Sequence, residues 1–353
     1  MLAAISQAKR EIWLELYLVR SGHVAGQFVT ALIAAAERGV RVCAMLDAYG
    51  AAGLSRNERR DMQRAGVRLE FYNPLQWRHL WRFLRRDHRK LLIVDGEVAF
   101  VGGAGLTDDF DPTWSGNAAW RDSMVAARGP VVGDWQAAFI AAWHEVTRER
   151  LEPLAEPHPT PAGAQWGRVC LSASGARREV RRALVAQLRS AQQRVWLSTA
   201  YFVPSWKIRR LLRRAARRGI DVRLLLPGPQ VDHPAVRHAG RRFYDQLLPH
   251  GVRIFEYQPR FLHAKTMLCD KWVSIGSSNV DRWNLRWNRE GNQEVDDAGF
   301  AEIVAGMFRE DFDHSAEISA AQWPTRGLQA RTLEWFWGRI DRLLDRRLPR
   351  AGE

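Results

Sequence analysis

Lysine is nearly absent from this chain: Lys9, Lys90, Lys207, Lys265 and Lys271 are the only lysines among 53 basic residues, and the rest are arginine. Cysteine is as sparse. Cys43, Cys170 and Cys269 lie far apart without CxxC or zinc-type spacing, which argues against a zinc motif and a disulfide scaffold. Cys43 and Cys269 fall inside apolar strand-like runs, where reduced core cysteine in a reducing cytoplasm is expected. No window approaches the roughly 18 apolar residues of a membrane span. The start, "MLAAISQAKREIWLELYLV", lacks the basic and apolar regions of a signal peptide. It enters a helix-like segment at once, as though a segment upstream were missing.

At 353 residues, with 46% hydrophobic and 26% charged, the chain is long enough for two ordinary domains with substantial cores. The formal net charge of +14 points to an anionic partner: nucleic acid, anionic lipid or a phosphorylated small molecule. The blander reading is a solvated surface of arginine-biased composition.

The sequence is internally duplicated. "DHRKLLIVDGEVAFVGG" (87–103) and "LHAKTMLCDKWVSIGSSN" (262–279) share one spacing, so that His88, Lys90 and Asp95 return as His263, Lys265 and Asp270. Upstream, "AKREIWLELYLV" (8–19) resembles "AQQRVWLSTAYFV" (191–203), "ERGVRVCAMLD" (37–47) matches "RRGIDVRLLLP" (217–227), and "GVRLEFYNP" (66–74) matches "GVRIFEYQP" (251–259). The order strand, helix, strand, helix, strand, cassette strand therefore occurs twice, which predicts an α/β fold with mixed sheets. We expect a first lobe at 1–150, a proline-rich linker at 151–166, a second lobe at 167–322 and a basic amphipathic C-terminal helix at 323–353. Packing of the lobes about a pseudo-twofold axis would bring the two cassette strands to one cleft.

Strand parity places His88 and Lys90 on one face and Asp95 on the other, and the second cassette obeys the same rule. The His–Lys pairs are therefore assigned to the reactive cleft, and Asp95 and Asp270 to supporting roles at a turn or backbone amides. One histidine on an apolar strand is more often a core residue. Two at identical spacing, each beside a scarce lysine and ahead of a small-residue turn, reverse that reading. A compact ammonium suits a single phosphoryl oxygen better than a guanidinium fork. The turns "GGAG" (102–105), with Gly103, and "GSSN" (276–279) let backbone and short side chains close on a phosphate. Two cations at the centre would repel a divalent ion, so no metal is expected. The chemistry that fits is phosphodiester transfer. One neutral imidazole attacks phosphorus to form a phosphohistidine. The other protonates the departing alkoxide and later deprotonates the incoming alcohol or water. Lys90, Lys265, Asn279 and Ser277 would hold the non-bridging oxygens. Asp122 in "AWRDS" and Glu290 in "WNREGN" stand at comparable places after each turn and are candidates to hold the second ring nitrogens; either alone reads equally well as a surface ion pair.

Paired HxKxxxxD cassettes with such turns resemble the phospholipase D superfamily. Within it, "AYFVPSWKIRRLLRRAARRGIDVRLLLPG", "DHPAVRHAGRRFYDQLLPHGVRIFEYQPRFLHAKTMLCD" and "GSSNVDRWNLRWNREGN" closely resemble the bacterial cardiolipin synthase family, in a likeness that runs over nearly the whole chain. The resemblance implies two tandem α/β/α lobes related by a pseudo-twofold axis, one shared active site and no cofactor. It implies transfer of a phosphatidyl group from one phosphatidylglycerol to another with release of glycerol. On that pattern His88 and His263 are nucleophile and general acid/base, with His88 favoured as nucleophile. Lys90, Lys265 and Asn279 bind phosphate, and Asp122 and Glu290 orient the histidines. The chain departs from the family at three points. Gly105 stands where asparagine is usual, with Asn117 as a candidate substitute. Five residues rather than six separate Asp270 from Gly276, a deletion expected to shift the loop bearing Asn279. The membrane-spanning helices at the start of some relatives are absent.

Partners expected on this reading are phosphatidylglycerol and the membrane surface rather than nucleic acid, at the cytoplasmic side of the bacterial cell membrane. "QWRHLWRFLRR" (76–86) offers Trp77, Trp81 and Phe83 among basic residues for membrane contact. "LEWFWGRIDRLLDRRL" (333–348) places Leu333, Phe336, Trp337, Ile340 and Leu344 at helical spacing, suited to an interface or to docking on the protein's own core. The rivals are a phospholipase D hydrolase, a transferase using phosphatidylethanolamine, and a metal-independent nucleic-acid phosphodiesterase, which the same charge and Arg/Trp-rich strips would suit. A non-catalytic protein with a decayed site is opposed by both intact His–Lys pairs.

Overall fold

The structure is a computed structural model that describes residues 1–74, 85–154, 163–173, 178–282 and 287–347. Trp77, Trp81, Phe83 and most of the proline-rich linker lie outside the described residues.

The first lobe is built on six strands: β1 (Glu11–Leu16), β2 (Arg41–Asp47), β3 (Arg68–Tyr72), β4 (Lys90–Val94), β5 (Val98–Gly102) and β6 (Met124–Arg128), in spatial order β3-β2-β1-β4-β5-β6. β1, β2 and β3 run parallel, and β4, β5 and β6 join antiparallel. Every residue of β1 is buried because both faces of the sheet are covered. Ile12, Leu14 and Leu16 pack with Phe28, Leu32 and Met62 from helices His23–Glu37 and Arg56–Arg64. Trp13 points the other way, against Trp135, Phe139 and Trp143 of helix Val131–Thr147. Period-two alternation feeds two apolar layers at once.

The second lobe repeats this plan with β7 (Trp166–Ser172), β8 (Arg194–Ser198), β9 (Asp221–Pro227), β10 (Arg253–Tyr257), β11 (Thr266–Cys269), β12 (Trp272–Gly276), β13 (Glu290–Asp296) and β14 (Ser315–Glu317). Their order is β14-β10-β9-β8-β11-β12-β13-β7, so the central six repeat the first sheet and β14 and β7 are added at the edges. Helix-closing glycines at equivalent places, Gly39 (φ 87°) and Gly219 (φ 85°), take the left-handed conformation that turns each chain into β2 and β9.

The shortened second cassette does not displace the loop after it. Leu91 pairs with Val101 and Val94 with Val98, while Thr266 pairs with Ile275 and Cys269 with Trp272. The missing residue comes out of the hairpin turn, and register beyond it is unchanged.

Asp95 and Asp270 close these turns with φ of 52° and 51°. Asp95 accepts the amides of Lys9, Arg10 and Glu11 at 2.8, 2.8 and 2.9 Å. Asp270 accepts those of Gln192, Gln193 and Arg194 at 2.8, 2.9 and 3.0 Å. Each carboxylate thus pins the start of the neighbouring central strand and touches neither histidine.

Helix Leu328–Arg347 docks on helix Pro234–Arg241 with an unexpected face. Glu334, Gly338 and Asp341 are its buried positions. Glu334 pairs with Arg241 (3.1 Å) and Arg326 (2.9 Å), and Asp341 with Arg282 (2.6 Å) and Arg242. Leu333, Trp337 and Ile340 stay half-buried and Phe336 exposed, so the apolar stripe is not the docked face. The surface beneath offers arginines, and carboxylates answer them.

Asp95→Ala or Asp270→Ala should each lower stability by roughly 2–4 kcal/mol, the loss of three charge-assisted amide bonds. Urea midpoints at constant m-value measure this. An unchanged midpoint would show that the amides find equal partners elsewhere.

Candidate active site

The lobes meet along β5 and β6 against β12 and β13, and Trp135 Nε1 donates to Gln293 Oε1 across the seam at 2.8 Å. Two short parallel ladders complete the junction. The His88 amide donates to the Arg289 carbonyl and the Arg289 amide to the Arg86 carbonyl, both at 2.9 Å. In mirror fashion the His263 amide donates to the Arg121 carbonyl (2.8 Å) and the Arg121 amide to the Phe261 carbonyl (2.9 Å). These ladders set each histidine beside the carboxylate that follows the paired arginine. His88 Nδ1 lies 3.0 and 3.1 Å from the two oxygens of Glu290, and His263 Nδ1 lies 2.6 Å from Asp122 Oδ2. Each lobe's histidine is held by the other lobe's carboxylate.

Both lysines are buried against the same centre. Lys90 Nζ donates to the His88 carbonyl at 2.7 Å, and Lys265 Nζ donates to the His263 carbonyl and lies 2.8 Å from His263 Nδ1. Burial, opposed by Glu290 and reinforced by Lys265, pushes Lys90 down to about 7; burial alone, opposed by Asp122 and Glu290, pushes Lys265 down to about 8. Burial first, then Lys265, pushes His263 down to about 3, and burial followed by Lys90 and Lys265 also lowers His88. Asp122 is held below the usual carboxylate range; burial pushes it up, and Lys265 and His263 together outweigh that. Aromatic rings line the centre: Tyr17 meets His88 edge-on at 4.9 Å, and Phe110, Trp120 and Phe261 stand 5.2–5.6 Å from His263.

The small-residue turns pack against the carboxylates. Ser277 Oγ donates to Glu290 and accepts the Gly291 amide at 3.1 Å, and so braces the carboxylate. The Gly103 amide is likewise engaged, with the Ser123 carbonyl at 3.2 Å, and a Cβ there would lie 2.3 Å from Asp122 Oδ1. Gly103 makes room for that carboxylate. Gly105 has no space for the asparagine usual there, because a Cβ would stand 2.5 Å from the Leu18 carbonyl oxygen. Asn117 does not replace it at a buried position; its side chain is exposed on the turn Gly116–Ala118. Asn279 is different. Its Oδ1 accepts from Thr199 Oγ1 (3.2 Å) and the Tyr201 amide (3.3 Å), while its buried Nδ2 has no partner among the described residues.

Comparison with known proteins accords with this geometry. Residues 1–116 and 184–312 match the family described as cardiolipin synthase, PLD-like domain. The chain belongs to that family. It is 32% identical over 350 residues to cardiolipin synthase 2 of Bacillus anthracis, covering 98% of this chain and 68% of that protein. It is 33% identical over 321 residues to cardiolipin synthase A of Pseudomonas putida, covering 90% of this chain and 67% of the relative. The crystal structure of phosphatidylserine synthase from Haemophilus influenzae superposes with a TM-score of 0.74 at 12% identity, covering 99% of this chain and 92% of that one, a likeness of fold alone.

Reading the sequence missed the two arginines that hold this cardiolipin synthase family site together. Arg121 forks onto Asp311 of the opposite lobe (3.1 and 2.9 Å), and Arg289 reaches Glu145 of the first lobe at 3.4 Å. The signal was available as an arginine directly before each carboxylate, in "WRDS" and "NREG". Among the described residues no group of three or more His, Cys, Asp or Glu is disposed to hold a metal ion.

Because both lysines titrate below the ordinary ammonium value, the unfolded chain binds more protons than the folded one from about pH 7 upward into the usual lysine range. Stability therefore rises with pH across that window. Melting temperature should climb from pH 7 to about pH 9, and Lys90→Met with Lys265→Met should flatten the climb. An undiminished slope in the double variant would mean the lysines are not the desolvated groups.

Proposed function

We propose that the chain is a cardiolipin synthase, joining two phosphatidylglycerols through a phosphohistidine intermediate with release of glycerol. The observation that carries the reading is the crossed pairing of His88 with Glu290 and His263 with Asp122. With Nδ1–H donated to a carboxylate, each imidazole turns the lone pair of Nε2 to the cleft.

His88 is the nucleophile. Its Nδ1 meets Glu290 while Lys90 is turned to its carbonyl, so the neutral tautomer with a free Nε2 is the one held. Nε2 attacks the phosphorus of the first phosphatidylglycerol, the bond from phosphorus to the glycerol oxygen breaks, and His263 gives that oxygen a proton. A second phosphatidylglycerol then loses a hydroxyl proton to His263 and its oxygen attacks phosphorus. The P–N bond breaks, and cardiolipin leaves. His263 needs its proton for the first half, and the substrate's own negative charge, set against Lys90 and Lys265, raises the imidazole toward the range where it carries one. The remaining N–H groups of both lysines and Nδ2 of Asn279 hold the non-bridging oxygens. Burial of both histidines, with the aromatic wall around His263, favours a lipid hydroxyl over water as acceptor. No helix among the described residues is long and apolar enough to cross a membrane. The chain works as a peripheral protein on the cytoplasmic face of the bilayer.

Incubation with phosphatidylglycerol vesicles, without added metal, should yield cardiolipin and glycerol by mass spectrometry. His88→Ala or His263→Ala should each lower the rate by at least about 10²–10⁴-fold, and only His263→Ala should still accumulate lipid-labelled protein. Phosphatidic acid as sole product would make the chain a hydrolase, and lipid inertia with DNA cleavage would end the proposal.

A further inference from the structure

The C-terminal helix roofs a cavity of about 910 Å³ on the second lobe, lined by Arg209, Arg242, Arg282, Arg326, Arg331 and Arg342. Asp341 is shared by Arg242 and Arg282, and Arg326 is divided between Glu334 and Asp245. Arg209, Arg331 and Arg342 form no ion pair with a carboxylate among the described residues, although Asp341 lies near enough to act on Arg209. Arg209 stacks 4.3 Å from Phe243, gives one N–H to the Pro204 carbonyl, and keeps a buried Nε without a partner among the described residues. Burial, then the neighbouring Arg242, Arg213 and Arg282, pushes it down to about 10, with Asp341 only partly opposing. Guanidinium groups crowded in this way lower their mutual repulsion when an anion joins them.

The rim says which anion. Leu328 and Trp335, both lining the opening, are 78% and 56% exposed, and Phe336 beside them is 47% exposed. Trp206, one helical turn before Arg209, is 59% exposed. The half-exposed stripe of Leu333, Trp337 and Ile340 runs along the same helix. Inorganic phosphate would leave most of this volume and all of the apolar rim unused. A nucleic-acid strand would ask for charge spread along a groove, whereas these arginines converge in a concavity edged by aromatics and leucine. A phospholipid matches both parts: an anionic head for the cavity and acyl chains for the rim.

We propose that this cavity is a second anionic-phospholipid site, separate from the reacting centre, in which Arg209, Arg331 and Arg342 take the headgroup phosphate of a bilayer lipid while Leu328, Trp335 and Phe336 enter the acyl boundary. The site sits beside the catalytic loop. Arg282 follows Asn279 by three residues, at most about 10 Å of extended chain, and Asp281 between them bridges to Val203. A lipid seated here holds the loop bearing Asn279 close to the membrane, and the seat does not depend on which alcohol accepts the phosphatidyl group.

The test is co-sedimentation of the full chain with phosphatidylcholine vesicles, with and without phosphatidylglycerol. R331Q/R342Q changes two exposed side chains, and its melting temperature should match the parent. Its binding to phosphatidylglycerol vesicles should fall roughly 30-fold, at about 1 kcal/mol for each basic residue near an anionic surface. Trp335→Ala should weaken binding to both vesicle types, and turnover of a short-chain, monomeric phosphatidylglycerol should be unchanged in each variant. R209Q, read the same way, supplies a second measurement inside the cavity. Parental vesicle binding by R331Q/R342Q would overturn the site. So would Arg331-dependent binding of inorganic phosphate alone, or release of the parent from vesicles by a single-stranded oligonucleotide that leaves the variant in place.

Discussion

Each imidazole at the centre depends on a carboxylate that only the opposite lobe supplies. A buried Nδ1–H without an acceptor is costly to leave unmade, on the order of 1–3 kcal/mol, so neither lobe alone satisfies its own histidine. The exchange is set by backbone, through the bridges Asp87–Arg289 and Arg121–Leu262, and then locked by side chains, through Arg121 on Asp311 and Arg289 on Glu145. A one-residue slip in either ladder would turn the histidine to the wrong face. The seam between the lobes and the catalytic geometry are therefore one construction.

That seam also holds buried charge. Lys90 and Lys265 are driven into a water-poor space with Glu290 and Asp122 as their counter-charges, and those carboxylates are already engaged with the histidines. Asn279 Nδ2 adds a buried donor without an acceptor among the described residues. On the proposed reading, a substrate phosphate would complete the hydrogen bonding and offset the charge at the same point. The dry walls make each of those contacts stronger than it would be in water.

The two halves are not equal. Glu15, with Arg89 at 3.5 Å, is buried at the place where the second lobe has Ser198 and Ala264. Burial and then Asp87 push the Glu15 carboxyl well up, with Arg89 and Arg289 opposing. Asn279 has only Gly105 at the equivalent place, and His263 has an aromatic wall and a lysine at its ring where His88 has Tyr17 and a Glu290 braced by Ser277. A near-symmetric frame thus holds its two imidazoles in chemically distinct surroundings.

Local pattern determined much of this. The repeated cassette named His88, Lys90, His263 and Lys265, strand parity set Asp95 and Asp270 apart from them, and glycines such as Gly39 and Gly219 marked where helices end, because spacing along a strand or helix is a property of the chain itself. Spacing carries no information about which partner lies across a seam. Tertiary structure alone decided that Glu290 holds His88 and Asp122 holds His263, that Ser277 and Gly103 serve those carboxylates, and that the C-terminal helix docks by Glu334 and Asp341 while its apolar stripe stays half-exposed. Those outcomes depend on groups from separate elements meeting in a low-dielectric space, the histidine–carboxylate pairs more than a hundred residues apart in sequence, where the pairing that satisfies buried donors and charges wins over the pairing that hydropathy would choose.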